Sequence, residues 1–134
     1  MPTPALTALD CVEIVRVTTG QTVFINGATG GVGSFAVQMA AKRGAHVIAT
    51  ARPQRAAYIR KLGASEVIDF TKGQVIEAIK QRHPDGIDAL IDVVSGKDEL
   101  IQMAGVLRHG GRLVTTLYTA DEGALAKLGV EGQN

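Results

Sequence analysis

Short apolar runs alternate along the chain with stretches in which apolar residues recur every three or four positions. Val23, Phe24 and Ile25 stand in succession within residues 22–26, as befits a central parallel strand buried on both faces. Val32, Phe35, Ala36, Met39 and Ala40 then follow the spacing of a helix with one apolar stripe. Lys42 and Arg43 complement the dipole of its last turn, and Gly44 is its natural C-cap. The same alternation predicts strands over 46–51, 66–70, 87–94 and 112–118. It predicts helices over 5–17, from Pro53 to about Leu62, over 73–82, over about 98–108 and over 121–128. His109, Gly110 and Gly111 read as the end of the fifth of these six helices, and 129–134 as a frayed tail. Strands alternating with helices predict an α/β fold: a doubly wound parallel sheet with helices on both faces, in the order 3-2-1-4-5.

Between the first strand and its helix, Gly27, Gly30, Gly31 and Gly33 crowd into seven residues. The leading N–H groups of that helix lack intrahelical partners, and its dipole places partial positive charge there, so the turn is built to hold an anion such as a pyrophosphate. Gly30 allows close approach of backbone and phosphate, and Gly33 allows close packing of helix on strand. Ala28 replaces the usual first glycine, giving Ala28-x-Gly30-x-x-Gly33. Strand, glycine turn and helix together form a dinucleotide-binding, Rossmann-like unit.

The end of the second strand bears on which dinucleotide. An acid about 20 residues past the glycines would hold a ribose 2′-OH. Thr50 and Ala51 stand there instead, Ala51 being 18 residues past Gly33. Arg52, Arg55 and Tyr58 follow, two fixed charges and a hydroxyl suited to a 2′-phosphate. That pattern predicts NADP(H) over NAD(H).

With 134 residues, the chain reads as one domain: a leading segment over 1–20, a βαβ core over 21–118, and a short helix and tail over 119–134. Hydrophobic residues make up 46% but aromatics only 4%, so Val, Ile, Leu and Ala must fill the core. A net charge of +1 makes no case for nucleic acid or a membrane surface, and no apolar run approaches a membrane span. A single cysteine excludes an intrachain disulfide and a cysteine-cluster zinc site. A cytoplasmic protein is the expectation. His83, Asp85 and Asp88 read as turn chemistry around Pro84 and Gly86, so no metal site is assigned.

The stretch NGATGGVGSFAVQMAAKRGAHVIATAR resembles the cofactor-binding domain of medium-chain dehydrogenases/reductases, in the quinone oxidoreductase-like, zinc-independent branch. LTAL at 6–9, KLGASEVIDF at 61–70, GIDALIDVVSG at 86–96 and LRHGGRLV at 107–114 extend the resemblance across most of the chain. It implies NADP(H)-dependent hydride transfer to a quinone, enone or similar carbonyl compound. It places Gly30, Gly31 and Val32 along the pyrophosphate, and Arg55 and Tyr58 on the 2′-phosphate. Phe70 would lie by the adenine, Thr7 at the nicotinamide carboxamide, and Val94, Ser95, Thr116 and Leu117 around the nicotinamide. Ser95 and Leu117 stand where a glycine is common in the family. Zinc-dependent relatives carry a cysteine ligand just before the first helix, and residues 1–5 hold none.

Relatives of this kind join the cofactor domain to a catalytic domain, so the chain reads as an excised, inactive cofactor domain that lacks a sixth strand. The outer edge of strand five would then stand open and promote self-association. A short-chain or extended reductase is a second reading, since Gly27-x-x-Gly30-x-x-Gly33 also fits it, but no Tyr-x-x-x-Lys follows. A methyltransferase would want an acid after strand two. A non-enzymatic nucleotide-binding module is the remaining alternative.

Overall fold

The computed structural model describes residues 12–13, 17–27, 31–69, 75–92, 103–115 and 131–133. Its strands are β1 (Thr22–Asn26), β2 (His46–Ala51), β3 (Glu66–Asp69), β4 (Ile87–Asp92), β5 (Leu107–Thr115) and β6 (Glu131–Gln133). They form one sheet in the order β3-β2-β1-β4-β5-β6, and every described pairing is parallel. The helices are α1 (Gly31–Lys42), α2 (Ala56–Leu62), which follows a 3-10 turn at Pro53–Arg55, and α3 (Val75–Arg82).

The sheet divides the core in two because successive strand side chains point to opposite faces. Val23 and Ile25 pack with Ala36, Val37, Ala40 and Ile59 from α1 and α2. Phe24 packs on the other face with Val75 and Ile79 of α3 and with Ile48, Ile68 and Leu90 from neighbouring strands. Helix α1 turns a somewhat different stripe inward than its spacing predicts. Gly33, Ala36, Val37 and Ala40 are buried, whereas Phe35 is 39% exposed. Small residues on the inner face let α1 lie close to the sheet, and Phe35 falls on the outer side of that contact. The helix ends as predicted at Gly44, which has φ +82°. The Gly44 N–H donates to Ala41 O at 3.0 Å and the Ala45 N–H to Ala40 O at 3.2 Å, the paired bonds of a Schellman closure.

Two sequence expectations are corrected. First, residues 107–111 do not close a helix. The helix that includes Met103 and Ala104 gives way to a turn, and β5 already begins at Leu107, paired with Ile87. The next pair is Ala89 with Arg112, so two steps along β4 answer to five along β5, and 108–111 bulge out. Leu107 continues the apolar spacing of Ala104, which is why the helical period misleads there. Both are buried in the same cluster, one on a helix and one on a strand. Second, a sixth strand is present: Arg112, Leu113 and Val114 pair with Glu131, Gly132 and Gln133. Gly-rich 131–133 has little strand propensity of its own, and the unpaired backbone of β5 supplies what propensity does not. That pairing covers the edge on which self-association was expected to rest.

Gly86 is where the bulge meets β4. Its φ is +89°, and a Cβ there would lie 2.6 Å from Arg108 N and 2.8 Å from Arg108 Cα. Asp88 fastens the same rim: Oδ2 accepts the Thr22 N–H at 2.8 Å, and Oδ1 accepts Arg108 Nε–H at 2.6 Å. Nearby, Glu66 at the start of β3 accepts hydrogen bonds from His46 Nε2 (2.5 Å), His83 Nε2 (2.9 Å) and Arg82 Nη1 (3.0 Å). Burial raises the Glu66 pKa, but these donors and the charge of His83 outweigh it and bring the carboxyl from 4.5 to about 2.

The glycines and the carboxylate of this rim can each be tested. Gly20 shares the left-handed conformation (φ +86°), but a Cβ added to it would meet only open space. Gly20→Ala should therefore cost about 1–2 kcal/mol in denaturant unfolding, the backbone term alone. Gly86→Ala should cost clearly more, about 3 kcal/mol or above, because backbone atoms block the methyl; equal losses would show that the close approach is absent. The lowered pKa of Glu66 stabilises the fold fully above pH 4.5, and this share is lost as pH falls toward about 2. Because its partners are partly solvated, the share is on the order of 1–2 kcal/mol. Glu66→Gln should remove it at pH 7 and leave a shallower acid limb in a stability–pH series. Parallel acid limbs for the two proteins would refute the linkage.

Candidate functional site

The carboxyl ends of β1, β2 and β4 come together at one rim of the sheet, because all three strands run parallel. β1 pairs with β2 from Thr22–His46 to Ile25–Ala49 and with β4 through Asn26–Asp92. The glycine turn leaves from this rim. Gly27 has φ +95°, which favours glycine at that position. Helix α1 then begins at Gly31, with no acidic residue in its first turn to oppose an anion.

At this rim lies a chain of buried and half-buried hydrogen bonds. The Gly27 N–H donates to Thr50 Oγ1 at 3.1 Å, and the Thr50 hydroxyl donates to Asn26 Oδ1 at 3.0 Å. Asn26 Nδ2 donates to Asp92 Oδ2 at 3.1 Å. Asn26, Thr50 and Asp92 are all buried, Asp92 completely. Each polar atom sits where an unmade hydrogen bond would be costly, so the relay fixes Asn26, the amide of Gly27 and thus the exit angle of the turn. Thr50, expected at the cofactor, has its hydroxyl engaged inward. It is a positioning residue for the turn.

Sequence reasoning did not single out Asn26 or Asp92. The signal for Asp92 was an acid directly after the apolar run Ala89-Leu90-Ile91. Such an acid is either paired or functional. Asp69 is a second acid at this rim, in register with Ala51 across β2 and β3.

β2 ends at Ala51, the boundary that the sequence predicts. Ala51 is buried, Arg52 and Arg55 are exposed, and Tyr58 is 49% exposed on α2. Arg52 has an extended backbone (φ −72°, ψ 153°) as it leads into the 3-10 turn, so the three residues follow the strand end directly. Gly31 and Val32 open α1 and Gly33 is buried within it. Thr7, Ala28, Gly30, Phe70, Val94, Ser95, Thr116 and Leu117 lie outside the described residues. His83, Asp85 and Asp88 do not gather: His83 bonds Glu66, and Asp88 bonds Thr22 and Arg108.

A dinucleotide fits these residues. Gly27 donates its own N–H inward, the α1 N-terminus carries no opposing acid, and the Arg52–Arg55 edge is cationic. Among the described residues, the one cluster with metal-binding donors, His46, Glu66 and His83, lies at the amino ends of β2 and β3, away from this rim. No described helix is long and apolar enough to cross a membrane.

Comparisons with known proteins agree with this geometry. The sequence model of the family described as zinc-binding dehydrogenase matches residues 31–124. The mitochondrial NAD(P)H oxidoreductase RTN4IP1 of Bos taurus is 36% identical over 124 residues, which is 89% of this chain and 31% of the relative. The chain thus spans about a third of that relative's length. The quinone oxidoreductase of Coxiella burnetii superposes with a TM-score of 0.83 at 32% identity, over 98% of this chain and 42% of that one. The quinone oxidoreductase of Thermus thermophilus, solved also with NADPH, gives 0.79 at 30% identity over 99% and 43%. These matches set aside the short-chain reductase and methyltransferase readings. Sheet order, glycine turn, family match and superposition agree that this chain belongs to the medium-chain dehydrogenase/reductase family, as a nucleotide-binding domain of its quinone oxidoreductase-like, zinc-independent branch.

Proposed function

We propose that the chain binds NADP(H), in preference to NAD(H), across the carboxyl ends of β1, β2 and β4, for hydride transfer to a quinone or enone. The observation that carries the preference is the end of β2. Ala51 is buried and not acidic, and Arg52 and Arg55 stand exposed immediately beyond it. A carboxylate there would repel a 2′-phosphate, whereas guanidinium groups pair with it bidentately. The Thermus thermophilus relative, solved with NADPH, lends support.

The nicotinamide ring supplies the hydride when the cofactor is bound. The residues of this chain bind and orient. The amide groups opening α1 hold the pyrophosphate, and the Gly27–Thr50–Asn26–Asp92 relay keeps that turn in place. The Arg52–Arg55 edge selects the phosphorylated ribose. The acceptor is held by a catalytic domain of the kind that makes up the remainder of longer relatives. Such a domain brings the acceptor to near-attack distance and excludes water. The residues of this domain hold the cofactor for the reaction.

Fluorescence titration with both reduced cofactors tests the preference. NADPH should bind about tenfold to a hundredfold more tightly than NADH, the worth of one hydrogen bond to a charged group. Arg52→Ala and Arg55→Ala should each lower NADPH affinity and leave NADH binding unchanged. Equal affinities in the unsubstituted chain would sink the reading.

The relay makes a separate prediction. Thr50→Val keeps the shape but removes the acceptor of the Gly27 N–H and a donor to Asn26 Oδ1, and should cost about 1–3 kcal/mol of stability. It should also weaken both cofactors alike, since the turn and not the 2′-phosphate is disturbed. Thr50→Ser should restore most of each loss. Thermal melts and the same titrations read both effects, and a Thr50→Val protein as stable as the original would dispose of the relay.

A further inference from the structure

We propose that His46, Glu66 and His83 form a binding site for a divalent cation of the zinc type, at the rim of the sheet opposite the glycine turn. Three separate elements deliver the donors. His46 opens β2, Glu66 opens β3, and His83 follows the last turn of α3. Their ligand atoms all lie within 4.8 Å of one another. Both imidazole Nε2 atoms converge on the same carboxylate oxygen, Oε2, at 2.5 and 2.9 Å. Glu66 is a carboxylate, so each Nε2 carries the proton of its hydrogen bond; a metal ion would take the place of those protons.

The distances suit that exchange. A tetrahedral zinc ion holds His nitrogen at about 2.0–2.1 Å and carboxylate oxygen at about 2.0–2.2 Å, which sets neighbouring ligand atoms about 3.3 Å apart. The His46 Nε2–Oε2 separation therefore needs to open by about 0.8 Å and the His83 one by about 0.4 Å. The side chain of His46 is 43% exposed and that of His83 21% exposed, so both rings have room to move. Two imidazoles with one carboxylate favour Zn²⁺ and its later first-row neighbours over Mg²⁺ or Ca²⁺, which prefer all-oxygen shells. Solvent on the His46 side provides a fourth ligand.

Arg82 completes the arrangement. Its Nη1 bonds the other oxygen, Oε1, at 3.0 Å, and so leaves Oε2 to the histidines. Arg82 orients the carboxylate but also offsets its charge, so it opposes a cation at the site. The strand direction keeps this site apart from the cofactor crevice. An ion bound there would tie β2, β3 and the end of α3 together and take no part in hydride transfer.

The test is a Zn²⁺ titration of the untagged chain against a chromophoric chelator, together with thermal melts. One Zn²⁺ per chain should bind saturably at micromolar concentration and raise the melting temperature through linkage. His46→Gln and His83→Gln should each weaken binding by about tenfold to a hundredfold, at least the loss seen for groups that merely orient metal ligands. Arg82→Gln should tighten it. His109→Gln and Cys11→Ser, which change the chain's remaining histidine and its cysteine, should leave it unchanged. Circular dichroism checks that each variant is folded. Absence of saturable binding, or binding that follows His109 or Cys11, would overturn the assignment. So would an Arg82→Gln loss equal to that of the histidine variants, because a disturbed ion-pair cluster would then explain all three.

Discussion

The hydrogen bonds that join Gly27, Thr50, Asn26 and Asp92 bind the ends of three neighbouring strands at the point where a nucleotide-binding turn must leave the sheet. An apolar contact would hold those strands together as firmly but would not fix the direction of a peptide N–H. A buried polar chain does, because each member can satisfy its neighbour in only one orientation. The direction in which the chain leaves β1 at Gly27 is set from this base. The cost is a fully buried acid, Asp92, which must stay partnered wherever the fold is intact.

The two-sided core explains why this chain manages with so few aromatics. Strands buried on both faces need residues of moderate and similar size. Val23 and Ile25 on one side meet the small inner face of α1, and Phe24 on the other meets Val75 and Ile79 of α3. Ala36 and Ala40 of α1 bring the helix close, and Gly63, with φ +125°, has no side chain to collide with Ala41 from that helix. Tight helix-to-sheet packing substitutes for bulk.

Strong local signals made most of the architecture readable from residue order. Apolar triplets bounded by turn residues marked β1, β2 and β4, and Gly44 and Gly63 closed the helices they follow. The misreadings came where a neighbouring strand outranked local preference. Leu107 looked helical by spacing, yet it pairs with Ile87 because Gly86 admits the backbone of Arg108. Gly132 looked frayed, yet it pairs with Leu113 because β5 has an edge to offer. At the candidate site, single-residue chemistry was legible: the missing acid at Ala51 and the cations after it. What was hidden was which side chains meet. Asn26, Thr50 and Asp92 are spread over 66 residues, and His46, Glu66 and His83 over 37, with no shared motif to join them.

The all-parallel order has a consequence for how the chain reaches this state. β1 lies at the centre, but its two neighbours are β2 and β4, and the backbone of Thr22 waits for Asp88, 66 residues later. No hairpin can nucleate such a sheet; each ladder requires closing a crossover before its contacts compensate for the lost chain entropy. The middle of the sheet is therefore complete only after β4 arrives, and until then the β1 edge displays Val23, Phe24 and Ile25 to whatever strand is nearby. A sheet built only from crossovers favours slow folding for its size, and its central strand keeps an open edge until β4 is in place.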